Sequence, residues 1–321
     1  MSDERILPDP AELKSLAGAR PDRLRALASE LASDRRLPHL ETLFTEPPRS
    51  ATDSEAELRA CVLGELALRG VPWRERPAIE AYAERLRELG HPLARLPETR
   101  LDLEHRFGAR TRGVGPVRSA GQLRARFPEA PDTAGGVAAG ATARETPDAA
   151  RSRAAAGAFT AGGWAKEPEA RFFALPRPLR DDDFGMAFLR GLPLDCLAGE
   201  PGRGGMLSCL TAADDAAAQL YVAACDGGVN GRPQYGAYAR LHAWEGLYAL
   251  LGLPPGTPFL DAVRYAADSR WLRFMAFTSW FHHDTADVGL AVLDPSRTRV
   301  AVLAATDTDE SDDMLGLARR P

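Results

Sequence analysis

Two uncharged apolar runs, residues 288–293 and 300–305, flank the turn sequence Asp294-Pro295-Ser296-Arg297. Short β-prone runs joined by a proline-bearing turn form an antiparallel hairpin. Both alternating faces of both runs are apolar or small, so neither face suits water and helices must cover the two sides. The aromatic stretch 271–281 supplies a third strand of this meander, and Arg171-Phe172-Phe173-Ala174-Leu175 is a further short strand stopped by Pro176 and Pro178.

The remainder reads largely as helix. Asp9-Pro10 and Pro21 open helices carrying Leu13 and Leu16, then Leu24, Leu27 and Leu31. Ser54 and Glu57 have capping-box spacing ahead of Leu58, Cys61, Val62 and Leu66, and Pro77 opens a helix closed by Gly90. Further helices are expected after Asp181, over about 214–225 and 235–251, and after Thr257-Pro258. Residues 111–163, rich in Ala, Gly, Arg and Pro with few large apolar groups, are expected to form a flexible linker, in which a helix around 148–156 forms only transiently for want of an anchor. The expected fold is therefore α+β. A helical domain of helical hairpins over 1–110, with solenoid-like stacking as one option, precedes the linker. An α+β domain over 164–321 follows, its helices packed on a small antiparallel sheet.

Composition narrows the function classes. With 321 residues, 45% of them apolar and 26% charged, the chain can build real cores, which excludes collagen-like, mucin-like and wholly disordered proteins. No stretch reaches the roughly 18 consecutive apolar residues of a membrane span, and the start lacks the basic-then-apolar order of a secretory signal, so a cytoplasmic address with no membrane partner is expected. Cys61, Cys196, Cys209 and Cys225 include no C-x-x-C pair and read as free, small apolar side chains, with Cys225 retained as a nucleophile candidate. Residues 111–180 carry 11 basic against 6 acidic side chains, and residues 181–321 carry 11 against 19. The excess of Arg suits phosphate, but no basic stripe interleaves with aromatics, which argues against a nucleic-acid partner.

Two constellations can carry chemistry. Folding the hairpin at Ser296, or midway between Pro295 and Ser296, returns residues 284–287 beside 306–309. Period two then places His283, Asp287, Asp307 and Asp309 on one face, with His282 on the other. Carboxylates with an imidazole can act as general acid and base, and Asp287, Asp307 and Asp309 can ligate a divalent cation, although no cofactor is expected. The second constellation is Arg232, Tyr235, Tyr238 and Arg240, guanidinium and phenol groups at a helix start that can clamp an acidic ligand or peptide.

The stretch from Tyr235 to Leu247, with Trp280-Phe281-His282-His283-Asp284 and the run ending at Asp309, resembles an uncharacterised family common in Streptomyces-type actinobacteria. The resemblance lies mainly in residues 235–309. It implies an intracellular protein and assigns no catalytic residue. Two functions remain open: a non-catalytic protein-interaction or regulatory protein of the immunity or accessory type, binding a protein partner, or an enzyme using the C-terminal His/Asp cluster for cation-assisted or acid–base chemistry such as hydrolysis of a small molecule.

Overall fold

Helices begin where a proline or an acidic cap allows. In a computed structural model, which describes residues 20–33, 40–108, 127, 139–199, 205–229, 231–282 and 286–308, α1 (Pro21–Ser33) starts on its proline and buries Leu24, Ala28, Leu31 and Ala32. The helix expected at Asp9-Pro10 lies outside the described residues. α2 (Ser54–Leu68) is capped by Asp53, one residue before the Ser54 expected there, through a bond from the Glu55 amide. α3 (Pro77–Glu88) opens on its proline as the sequence requires.

The expected linker needs correction over part of its length. Within it, α4 (Ala149–Gly162) is a well-anchored helix, with the Asp148 carboxylate at its N-cap and Ala155, Ala158 and Phe159 wholly buried. Its side chains are small, so each buries little area and composition alone makes the segment look unburiable. Their smallness is what lets neighbouring helices approach closely, and the contact is made by many small groups in place of a few large ones. Those neighbours are α6 (Ala213–Cys225) and α7 (Tyr235–Leu251). Between α4 and α6 in sequence lies α5 (Met186–Arg190), and α8 (Phe259–Asp268) follows α7.

α7 is the helix around which the others gather. It packs against α4, α6 and α2, burying Ala237, Ala239, Ala243, Trp244, Leu247 and Leu250. Gly64 of α2 is required at that crossing, because a Cβ there would lie 2.8 Å from the Ala237 side chain. One apolar core therefore runs from α1, α2 and α3 through α4, α6 and α7 to the sheet.

Among the described residues the sheet has six strands, all antiparallel, against three in the expected meander. They are β1 (Arg144–Glu145), β2 (Glu169–Ala174), β3 (Met206–Thr211), β4 (Arg270–Ala276), β5 (Ala286–Leu293) and β6 (Arg299–Asp307), in spatial order β1-β2-β6-β5-β4-β3. The expected strand at Arg171 is β2. β3 was not legible, being a short uncharged run after a glycine-rich loop. Both sheet faces are covered, as the two-sided apolar pattern demands. Val288, Leu290, Val292, Ala301, Leu303 and Ala305 face the helices, while Ala291, Leu293, Val300, Val302 and Ala304 face α5 and the chain around it. No described helix is long and apolar enough to cross a membrane.

Candidate functional site

The first constellation depends on hairpin register. The closing turn places four residues, 295–298, between Asp294 and Arg299, with Arg297 in the left-handed region at φ 60°. The Asp294 carboxylate organises it, accepting bonds from the Thr298 and Arg299 amides, the Ser296 hydroxyl and Arg299 Nε. Burial pushes the Asp294 carboxyl up, but the bonds from Ser296, Arg299 and Thr298 outweigh it and hold the group below its ordinary value.

The longer loop shifts the pairing from the expected register. Asp287 lies opposite Thr306, and Ala286 opposite Asp307. A one-residue slip exchanges faces, so Asp287 and Asp307 point to opposite sides of the sheet. Buried Asp287 accepts the Thr306 hydroxyl at 2.6 Å, and Thr306 Oγ1 in turn accepts the His282 amide at 3.0 Å. Asp307, also buried, joins two loops: Oδ1 accepts the Ala165 amide after α4 at 2.9 Å, and Oδ2 accepts the Val229 amide after α6 at 2.7 Å. His283 and Asp309 lie outside the described residues. Among those described, no group of three or more His, Cys, Asp and Glu side chains is placed to hold a metal ion.

The second constellation divides at the start of α7. Arg240 is 1% exposed and forms a two-pronged pair with Glu104, itself 0% exposed, at 2.6 and 2.9 Å. Further donors on it reach the Pro97 and Thr99 carbonyls, and Trp244 Nε1 donates to the same Glu104 at 2.6 Å. Arg240 is thus a buried lock between α7 and the 97–104 segment, with four of its five N–H donors engaged. Tyr238 donates to Glu57 at 3.0 Å, and its ring carries the Arg25 guanidinium at 3.7 Å. His91 Nε2 also meets Glu57, at 3.1 Å, and the Leu93 amide donates to His91 Nδ1, which assigns the ring proton to Nε2. Burial raises the Glu57 carboxyl, while the His91 and Tyr238 bonds and Arg25 bring it below its ordinary value.

Arg232 is exposed, and Tyr235 begins α7 at φ 56°, a left-handed conformation strained for an aromatic residue. The amide of Ala237 in that first turn donates to Glu65, and Gly236 is needed there because a Cβ would come within 2.7 Å of the carboxylate. Cys225 is not an activated thiol: burial pushes it up to about 11.

A wide opening lies at the other end of α7. A groove of about 1160 Å³ runs between the start of α4, the second half of α7, the 252–259 loop and the 92–96 turn. Trp244, Tyr248 and Phe259 pack edge to face along it, with ring centroids 4.9 to 6.1 Å apart. The Tyr248 hydroxyl fixes the loop by donating to the Thr257 carbonyl at 2.7 Å. Arg151 lies beneath, donating to the Ala249 and Leu250 carbonyls at the end of α7 and stacking 3.7 Å from the Phe172 ring centre. Arg95 and Arg153 stand exposed among the lining residues. Sequence reasoning missed this groove because Trp244 and Tyr248, spaced i and i+4, read as a core stripe. The available signal was Pro254-Pro255 directly after an aromatic helix and facing an Arg-rich segment.

Searches of curated proteins and of solved structures find no match. A family model described as a family of unknown function (DUF6183) matches residues 9–309, far beyond the 235–309 stretch that carries the sequence resemblance. Covering nearly all of the described fold, groove and sheet alike, that match places the chain in the DUF6183 family.

Proposed function

We propose that this protein acts by non-catalytic binding, receiving a segment of a protein partner in the groove between α4, α7 and the 252–259 loop. The observation that carries the reading is the groove itself. Its volume of about 1160 Å³ exceeds the roughly 300–1,000 Å³ of ordinary small-molecule sites, and its wall is aromatic and proline-rich. Exposed Pro254, Pro255 and Gly256 leave it open to an incoming chain. The enzymatic alternative draws on Asp287 and Asp307 acting together, and those two carboxylates occupy opposite faces with backbone and hydroxyl partners of their own.

Selection from a displayed pool of random dodecapeptides tests the reading. Ala150, exposed in the first turn of α4 and lining the groove, can be enlarged without opening a cavity. Peptides enriched on the wild-type protein are expected to lose binding to Ala150→Trp at unchanged thermal midpoint. Enrichment that ignores this variant would locate binding elsewhere and remove the groove from the function.

A further inference from the structure

Resting on that reading, we infer that the segment received by the groove is acidic, an extended stretch of a partner protein in which Asp or Glu flanks an apolar side chain. The lining carries three guanidiniums, Arg95, Arg151 and Arg153, against two carboxylates, Asp148 and Glu245. Glu245 also meets His242 at 3.3 Å, and Asp148 accepts the Arg151 amide at 3.0 Å at the N-cap of α4. Arg151 is spent on the carbonyls ending α7, which neutralises the negative pole that helix would otherwise turn toward the groove. Arg95 and Arg153 remain, and among the described residues no carboxylate pairs with either.

One helix start adds to the same sign. α8 begins at the groove through Pro258 and Phe259 with no side chain capping it, whereas the start of α4 already meets the Asp148 carboxylate. Free amides at a helix start favour anions. The chain as a whole has 45 acidic against 40 basic side chains, so a locally positive groove runs against the overall charge. Between these charges, Tyr248, Leu253, Pro254 and Phe259 offer apolar contact, matching a segment that alternates acid and apolar groups.

The composition of the selected peptides tests the inference separately from the reading beneath it. Peptides captured by wild type and excluded by Ala150→Trp are expected to be enriched in Asp and Glu. Arg95→Glu/Arg153→Glu is expected to weaken a captured acidic peptide by about tenfold and to select basic peptides in its place. Groove-dependent capture with no charge bias, or with a basic one, overturns the acidic assignment and leaves the binding reading standing. No groove-dependent capture overturns both. A chain ending at residue 308 that binds the acidic peptide more tightly than the full chain would give the groove to the acidic residues after Thr308. Self-association abolished by Arg95→Glu/Arg153→Glu would give it to a second copy. Either result removes the separate partner.

Discussion

Inside the molecule the Glu104 carboxylate accepts from Arg240, Trp244 and the Leu101 amide. Removing one member of such a pair strands the other. Arg240→Met is expected to cost about 3–5 kcal/mol in urea unfolding, and Arg240→Met/Glu104→Gln to recover part of that loss. A loss below about 1 kcal/mol for the single variant would show that water reaches the site. Acid acts on Glu57 and Asp294, whose folded carboxyls sit below their ordinary values of 4.5 and 3.8. Their contribution is present in full above those values and fades as pH falls through the lower folded ones. Stability measured against pH should therefore decline below about 4.5, less steeply in Glu57→Gln. At this scale the sequence was half informative. Arg240 was legible as a charged residue needing an anion, but its partner lies 136 positions earlier, and no local pattern points across that distance.

Elements were easier to read wherever a cap or a period marked them. Pro21, Pro77 and Gly252 stand at or beside the ends of α1, α3 and α7, and the strand pattern of residues 288–293 and 300–305 became β5 and β6. The register of that hairpin was not legible, because Asp294-Pro295 serves a short turn and a four-residue loop equally well. Only the ring of donors around the Asp294 carboxylate chooses between them. α4 escaped for a different reason: Ala and Gly bury too little area to register as a stripe, and its anchor is the Arg151 contact to α7, 98 residues away. Trypsin should accordingly spare Arg151 and Arg153 in the native protein, although Arg153 is exposed, since cleavage needs the helix to open. Rapid cutting at either residue would show that α4 opens without global unfolding.

For the whole molecule, the shared core has a direct consequence for fragments. α2 meets α7 through Gly64 and Ala237, and Glu65 takes the Ala237 amide at the start of α7. A fragment of residues 139–321 would expose that helix face and leave Arg240 without Glu104. It is expected to be poorly soluble and to melt without a cooperative transition, as scanning calorimetry would show. A sharp melt would instead make the C-terminal region a folding unit of its own. The α+β class and the covering of both sheet faces followed from patterning, whereas the groove is made by segments distant in sequence and has no single stretch that announces it.

The position of β6 sets the timing of completion. It is the last described strand in the chain, yet it lies inside the sheet, paired with β2 on one side and β5 on the other. While the protein is being synthesised, residues 175–298 must all follow β2 before it and β5 find their common neighbour. A stop codon shortly before position 299 would therefore leave two raw sheet edges, on β2 and β5, and an open core.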